Sequence, residues 1–146
     1  GLMLNDPEEE QDCFSDNTQN SHYYDGLGIR NVYLGSYARP DGKVVSGPSL
    51  SELVASGDPA VNTQLTAELD DSVAKLGALK QAADGGFAYD QMLAPGDKRG
   101  EKLIMDAVDA LVTQTASIQR AVAVVDGSKV EFEGSDSLDN PDAVFQ

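Results

Sequence analysis

The chain has 146 residues, with 25 acidic against 10 basic side chains and a formal net charge of −15; it holds one cysteine and one histidine. That balance argues against a nucleic-acid backbone or an anionic membrane surface as partner, and leaves cations, basic partners or plain colloidal solubility. A single cysteine excludes an internal disulfide, one His and one Cys fall short of a four-ligand structural zinc site, and no apolar run reaches the roughly 18 residues of a transmembrane helix.

Residues 1–6, GLMLND, are a short apolar lead-in that reads as the end of a linker, and Gly1 in place of an initiator Met fits a processed or excised fragment. From Pro7 to Gly35 the spacing of Phe14, Thr18, Ile29, Val32 and Tyr33 predicts a helix with one apolar stripe. Pro7 suits its first turn, Glu8 to Glu10 suit the positive end of its dipole, and Gly35 is a good stop. Gly26 and Gly28 cost this helix about 1 kcal/mol each relative to Ala, which suggests close packing or a kink. Cys13, beside Phe14, reads as a small buried hydrophobe.

Residues 36–57 read as a loop with a short helix. Arg39-Pro40-Asp41-Gly42 is a turn, with Tyr37 before it and Lys43-Val44-Val45 after it as a small hairpin. Ser49 and Glu52 form a capping box for a short amphipathic helix that ends at Gly57. Asp58-Pro59 then opens a helix to about Ala83, whose stripe is Val61, Leu65, Leu69, Val73, Leu76, Leu79 and Ala83. Phe87, Tyr89, Met92 and Leu93 form a loop or short turn that plugs a bundle end. Asp97 caps a last long helix whose seam is Ile104, Val108, Leu111, Thr115, Ile118, Val122 and Val125. The tail, residues 127–146, alternates Val130 and Phe132 with Glu131 and Glu133, a short strand or strap, and then turns acidic and turn-rich. The expected fold is all-α: one domain over residues 1–146, an up-down bundle of three to four helices with long connecting loops and an irregular acidic C-terminal tail.

Two strings carry more than helix periodicity. Cys13-Phe14-Ser15-Asp16-Asn17-Thr18 and Gly28-Ile29-x-Asn31-Val32-Tyr33-x-Gly35 resemble the imelysin-like family of bacterial cell-envelope proteins, which includes the iron-regulated protein A group. The family pattern places histidines where this chain has Gln11 and Gln19, and a serine where it has Asp12, so no ligand role carries over to those positions. The family's Gly-x-His-x-x-Glu motif is absent; the lone histidine stands in Asn20-Ser21-His22-Tyr23-Tyr24-Asp25. The resemblance therefore implies the C-terminal half of a two-half protein, with the N-terminal half of the same protein as partner and a site in the cleft between halves. It further implies a bacterial periplasmic or outer-membrane-anchored location, iron, haem or an envelope transport protein as partner, and iron or another divalent cation as cofactor.

By that resemblance the binding candidates are Ser15, Asp16, Asn17 and Thr18, with Glu10 behind them; the same residues also suit capping or interhelix hydrogen bonds. Glu10, Asp12, Asp16 and Asn17 offer hard oxygen donors suited to Ca, Mg, Mn or ferric iron rather than zinc. Asp12 and Asp16, four apart, would share a helix face, either solvated or around a cation. His22 and Asp25 would also share a face, as a weak metal pair or a surface histidine and its neighbour. A Ser15 triad is unfavoured, because the only histidine lies about two turns away. The preferred reading is a non-catalytic binding or accessory component of iron or haem uptake. A metallopeptidase of the imelysin type, and a structural half-domain that docks a partner, are the alternatives.

Overall fold

A computed structural model describes residues 6–127 of the chain. Two single-turn 3-10 helices, Pro7–Glu9 and Cys13–Ser15, lead into α1 (Thr18–Leu34). A hairpin of β1 (Ser36–Ala38) and β2 (Val44–Ser46) follows, then α2 (Leu50–Gly57), α3 (Pro59–Asp84), the single turn α4 (Tyr89–Met92) and α5 (Lys98–Asp126). The fold is all-α apart from that hairpin, in which Tyr37 pairs with Val45. The lead-in at 1–5 and the strap expected near Val130 and Phe132 lie outside the described residues.

The starts of the helices follow from local chemistry. The Ser49 hydroxyl accepts the Glu52 N–H at 3.0 Å, while the Glu52 carboxylate accepts the Ser49 N–H at 3.1 Å. Asp58 takes the N–H groups of Ala60 and Val61, with Pro59 at the first helical position. Asp97 accepts the Gly100 N–H at 2.7 Å and opens α5. Each such cap satisfies backbone donors that a helix start would leave bare, and contributes about 1 kcal/mol.

α3 is the central element: α1 and α5 both pack on it rather than on each other, and α2 touches all three. Its buried stripe is Leu65, Leu69, Ser72, Leu76 and Leu79. One apolar cluster gathers Leu76, Leu79, Ile104 and Ala107 under Tyr89, Met92 and Leu93, so the α4 turn does plug the bundle end. A second gathers Leu65, Leu69, Tyr33, Val54 and Ala121 at the opposite end. Between them lies a buried polar layer of Ser72, Gln114 and Ser117. At the α2 end, Asn62 Oδ1 accepts from both the Tyr33 and the Ser51 hydroxyls at 2.8 Å, which ties α1, α2 and α3 to one atom.

Three expectations change. The helix expected from Pro7 begins only at Thr18, because Asp16 adopts the left-handed conformation (φ 48°) and ends the turn before it. Phe14, placed on the apolar stripe, is therefore fully exposed at 109%, while Ile29 and Val32 are also exposed and only Thr18 and Tyr33 are buried. Cys13 is half-buried rather than core. On α5 the buried line is Ile104, Ala107, Ala110, Gln114, Ser117 and Ala121, and of the expected seam only Ile104 belongs to it. Small side chains fill the α5 contact, and the large aliphatics Val108, Leu111 and Ile118 pack partly buried beside it.

Close approach also explains one glycine. A Cβ on Gly26 would clash with Leu76 Cδ1, whereas one on Gly28 would meet nothing within 4 Å. Gly26→Ala should cost about 1–3 kcal/mol by overpacking, read as a lower urea midpoint. Gly28→Ala should be neutral or stabilise by up to about 1 kcal/mol. Gln114, 4% exposed, has an Oε1 with no hydrogen-bond partner among the described residues. Gln114→Met, which removes that acceptor at similar volume, should raise the thermal midpoint, since an unsatisfied buried polar group costs about 1–3 kcal/mol.

Candidate functional site

The signature stretch folds as a loop tied to the first turns of α1, and Asp12 is its knot. The Asp12 N–H donates to Thr18 Oγ1 at 3.0 Å, and its carbonyl accepts the Ser15 N–H at 3.1 Å and the Ser15 hydroxyl at 3.2 Å. Its carboxylate accepts the Ser21 hydroxyl, one turn into α1. Asn20 Nδ2 donates to Asn17 Oδ1 at 2.9 Å, and Gln19 Nε2 to the Asp16 carbonyl at 3.2 Å. The left-handed Asp16 is what lets the loop turn back over the helix start.

This fold shapes a polar hollow of about 520 Å³. Gln11 and Asp12 line it from the loop, and Asn17, Asn20, Ser21, Tyr24 and Asp25 from α1. Of the binding candidates, Asn17 lines the hollow. Thr18 and Glu10 are buried, and Ser15 and Asp16 sit exposed on the loop, outside the lining. Asp12 and Asp16 do not share a helix face, because no helix spans them.

The weak metal pair divides. Asp25 lines the hollow, but the His22 ring turns to Tyr89, edge-on at 63° with centroids 5.7 Å apart. Among the described residues no group of three or more His, Cys, Asp or Glu side chains is placed to hold a metal ion. Oxygen donors still converge on the hollow: two carboxylates, three side-chain amides, a hydroxyl and a phenol. That set suits a hard cation that keeps part of its water shell.

Behind the loop lies a second, drier group. Glu10 is 7% exposed and its Oε2 has no partner among the described residues; Gln19, 9% exposed, has an Oε1 in the same state. Burial raises the Glu10 carboxyl above its ordinary value; a hydrogen bond with Thr18 opposes this, and the charges of Asp16, Asp90 and Asp12 reinforce it. Burial raises the Tyr89 phenol, with Glu10 adding to it. His22 is lowered by burial, partly offset by Asp25 and Asp12. The Cys13 thiol is pushed up by desolvation and by the carboxylates around it, so it is a poor nucleophile.

Sequence reasoning missed Asn20, Ser21 and Tyr24 as lining residues. The signal was present: Asn17, Ser21 and Asp25 recur every fourth residue, one polar face of α1. Gln11 and Asp12 join them only through the turn at Asp16.

A model of the imelysin family, which also carries a peptidase label, matches residues 1–118. No curated protein matches the chain.

Two of the shifted groups, Glu10 and His22, act on stability in opposite directions. Glu10 has a raised folded-state value, so its contribution is fully present below the unfolded glutamate value and is lost as pH rises through the folded one. His22 has a depressed value, so its contribution is present above the ordinary histidine value and is lost as pH falls through the folded one. Glu10→Gln should therefore unfold at a higher temperature than the parent near about pH 7, and the gap should close by about pH 4. Thermal scans of both proteins across that range check this.

Proposed function

Starting from the fact that the chain belongs to the imelysin family, we propose that it is a non-catalytic binding component of bacterial iron or haem uptake in the cell envelope, periplasmic or anchored at the outer membrane. The observation that carries this reading is the oxygen-lined hollow, where Asp12 and Asp25 present carboxylates beside the amides of Gln11, Asn17 and Asn20. Hard oxygen donors without thiolate or imidazole favour ferric iron, calcium or magnesium over zinc. The net charge of −15 draws cations toward the surface at long range. In this reading Asp25, exposed and accessible, is the primary ligand, and Asp12 the ligand that the loop holds in place through Ser21 and Thr18.

A second observation favours an additional role as a half that docks a partner, the N-terminal half of the same protein. The outer face of α1 and the hairpin carry Tyr24, Val32, Tyr37 and Val45, all more than half exposed. They surround a mostly apolar hollow of about 660 Å³. Contiguous exposed apolar surface of this kind marks interaction sites.

Titration of the chain with ferric citrate, calcium and magnesium, followed by thermal unfolding, tests the binding reading. A ligand at about a hundred times its Kd adds about 2.7 kcal/mol of stability. The midpoint should rise with ferric ion and the rise should disappear in Asp25→Asn, which alters an exposed side chain. An absent rise, or one that Asp25→Asn leaves intact, overturns the proposal. Chelator-sensitive cleavage of a peptide panel would instead favour the metallopeptidase reading that the family's label suggests.

A further inference from the structure

Residues 11–16 lie over the start of α1 as a flap that the core does not hold. Its 3-10 turn, Cys13–Ser15, contains no buried residue, and Phe14 stands wholly in water. Among the described residues the bonds that dock the flap on α1 are polar. The Asp12 N–H donates to Thr18 Oγ1 at 3.0 Å, the Ser21 hydroxyl to the Asp12 carboxylate, and Gln19 Nε2 to the Asp16 carbonyl at 3.2 Å. Other bonds run inside the flap: the Ser15 N–H and hydroxyl donate to the Asp12 carbonyl, and the Asp16 N–H to the Cys13 carbonyl at 3.4 Å. The flap is thus a unit with its own internal order and little apolar anchorage, the kind of segment that opens locally. None of its residues belongs to either apolar cluster, so the bundle stays intact when it opens.

Two costs oppose the closed position. Asp16 sits in the left-handed region at φ 48°, which a residue with a Cβ avoids. Beneath the flap, Glu10 Oε2 and Gln19 Oε1 are buried acceptors without partners among the described residues, a penalty on the state that seals them from water. An outward swing relaxes Asp16 and lets water reach both oxygens, and the docking bonds it breaks are exchanged for bonds to water. The free-energy gap between the two positions is therefore small.

We infer that residues 11–16 form a two-position flap that hinges at Asp16 and gates the polar hollow. Closed, it delivers Gln11 and Asp12 to the hollow, facing Ser21 and Asp25 of α1. Open, it takes both away and leaves the helical wall. The clasp is the Asp12 carboxylate on the Ser21 hydroxyl. An ion held between Asp12 and Asp25 joins the flap to α1 and favours the closed position. As a gate, the flap rests on the hollow being the cation site; the swing itself needs no ligand.

The chain carries its own reporter. Cys13, the only cysteine, lies on the flap and is half-buried when it is closed. Timed labelling of the full native chain with N-ethylmaleimide, read by mass spectrometry, follows the open position. Ser21→Ala removes the clasp, and Asp16→Val puts a β-branched side chain where φ is positive. Each should quicken labelling several-fold at unchanged helical circular dichroism. Gallium citrate, a redox-inert stand-in for ferric ion, should slow labelling of the parent and leave Asp25→Asn unaffected. Rates that both variants leave unchanged overturn the swing. Gallium that raises the thermal midpoint without slowing the labelling overturns the gate and leaves the binding reading standing. Gallium that does neither overturns the gate through the binding reading on which it rests.

Discussion

The molecule depends on one helix serving two neighbours at once. The leucine stripe of α3 buries Leu65, Leu69, Leu76 and Leu79. It does so because α1 comes close at Gly26 and α5 buries the small side chains of Ala107, Ala110, Ser117 and Ala121. Hydrophobic burial scales with the area removed from water, so a wide stripe shared by two small-residue faces is more effective than bulky side chains meeting at a distance. The consequence is an open layer. With α1 and α5 both committed to α3, Val32 of α1 and Val125 of α5 stay largely exposed and line an apolar groove.

The core is not uniformly apolar along its length. Ser72, Gln114 and Ser117 form a polar layer between the two clusters. The Ser72 hydroxyl bonds back to the Glu68 carbonyl at 3.1 Å, and Ser117 accepts from Arg120 at 3.0 Å. Both bonds stay within their own helix, so the two hydroxyls are satisfied locally and do not link α3 to α5.

The start of α1 shows a division of labour between neighbouring residues. Gln11, Asn17 and Asp25 face the polar hollow, while Glu10, Thr18 and Gln19 are buried behind the loop. The two glutamines at the family's histidine positions thus have different fates: Gln11 is exposed at the hollow and Gln19 is buried. The electrostatics follow the same partition. Carboxylates on the wet side keep company with hydroxyls and amides, whereas Glu10 on the dry side is pushed toward its neutral form.

Much of the architecture was legible in residue order. The helices opening at Leu50, Pro59 and Lys98 begin at Ser49, Asp58 and Asp97, because a side-chain cap is a local interaction that neighbouring residues decide. The hairpin across Pro40-Asp41-Gly42 and the family strings were readable for the same reason. What periodicity does not reveal is which of two adjacent stripes faces inward when one is large and the other small; on α5 the small one won, because helix separation is a property of the pair. Nor does it reveal a left-handed Asp16, whose cost is offset by contacts that Asp12, Thr18 and Ser21 make only after folding. By itself the sequence determined the helices that open at Ser49, Asp58 and Asp97, their caps, and the chemistry available at Gln11 to Asp25. Tertiary structure alone decided which of those side chains meet at a hollow, which are sealed behind it, and where a greasy groove stays open, because these outcomes depend on distances between segments remote in the chain.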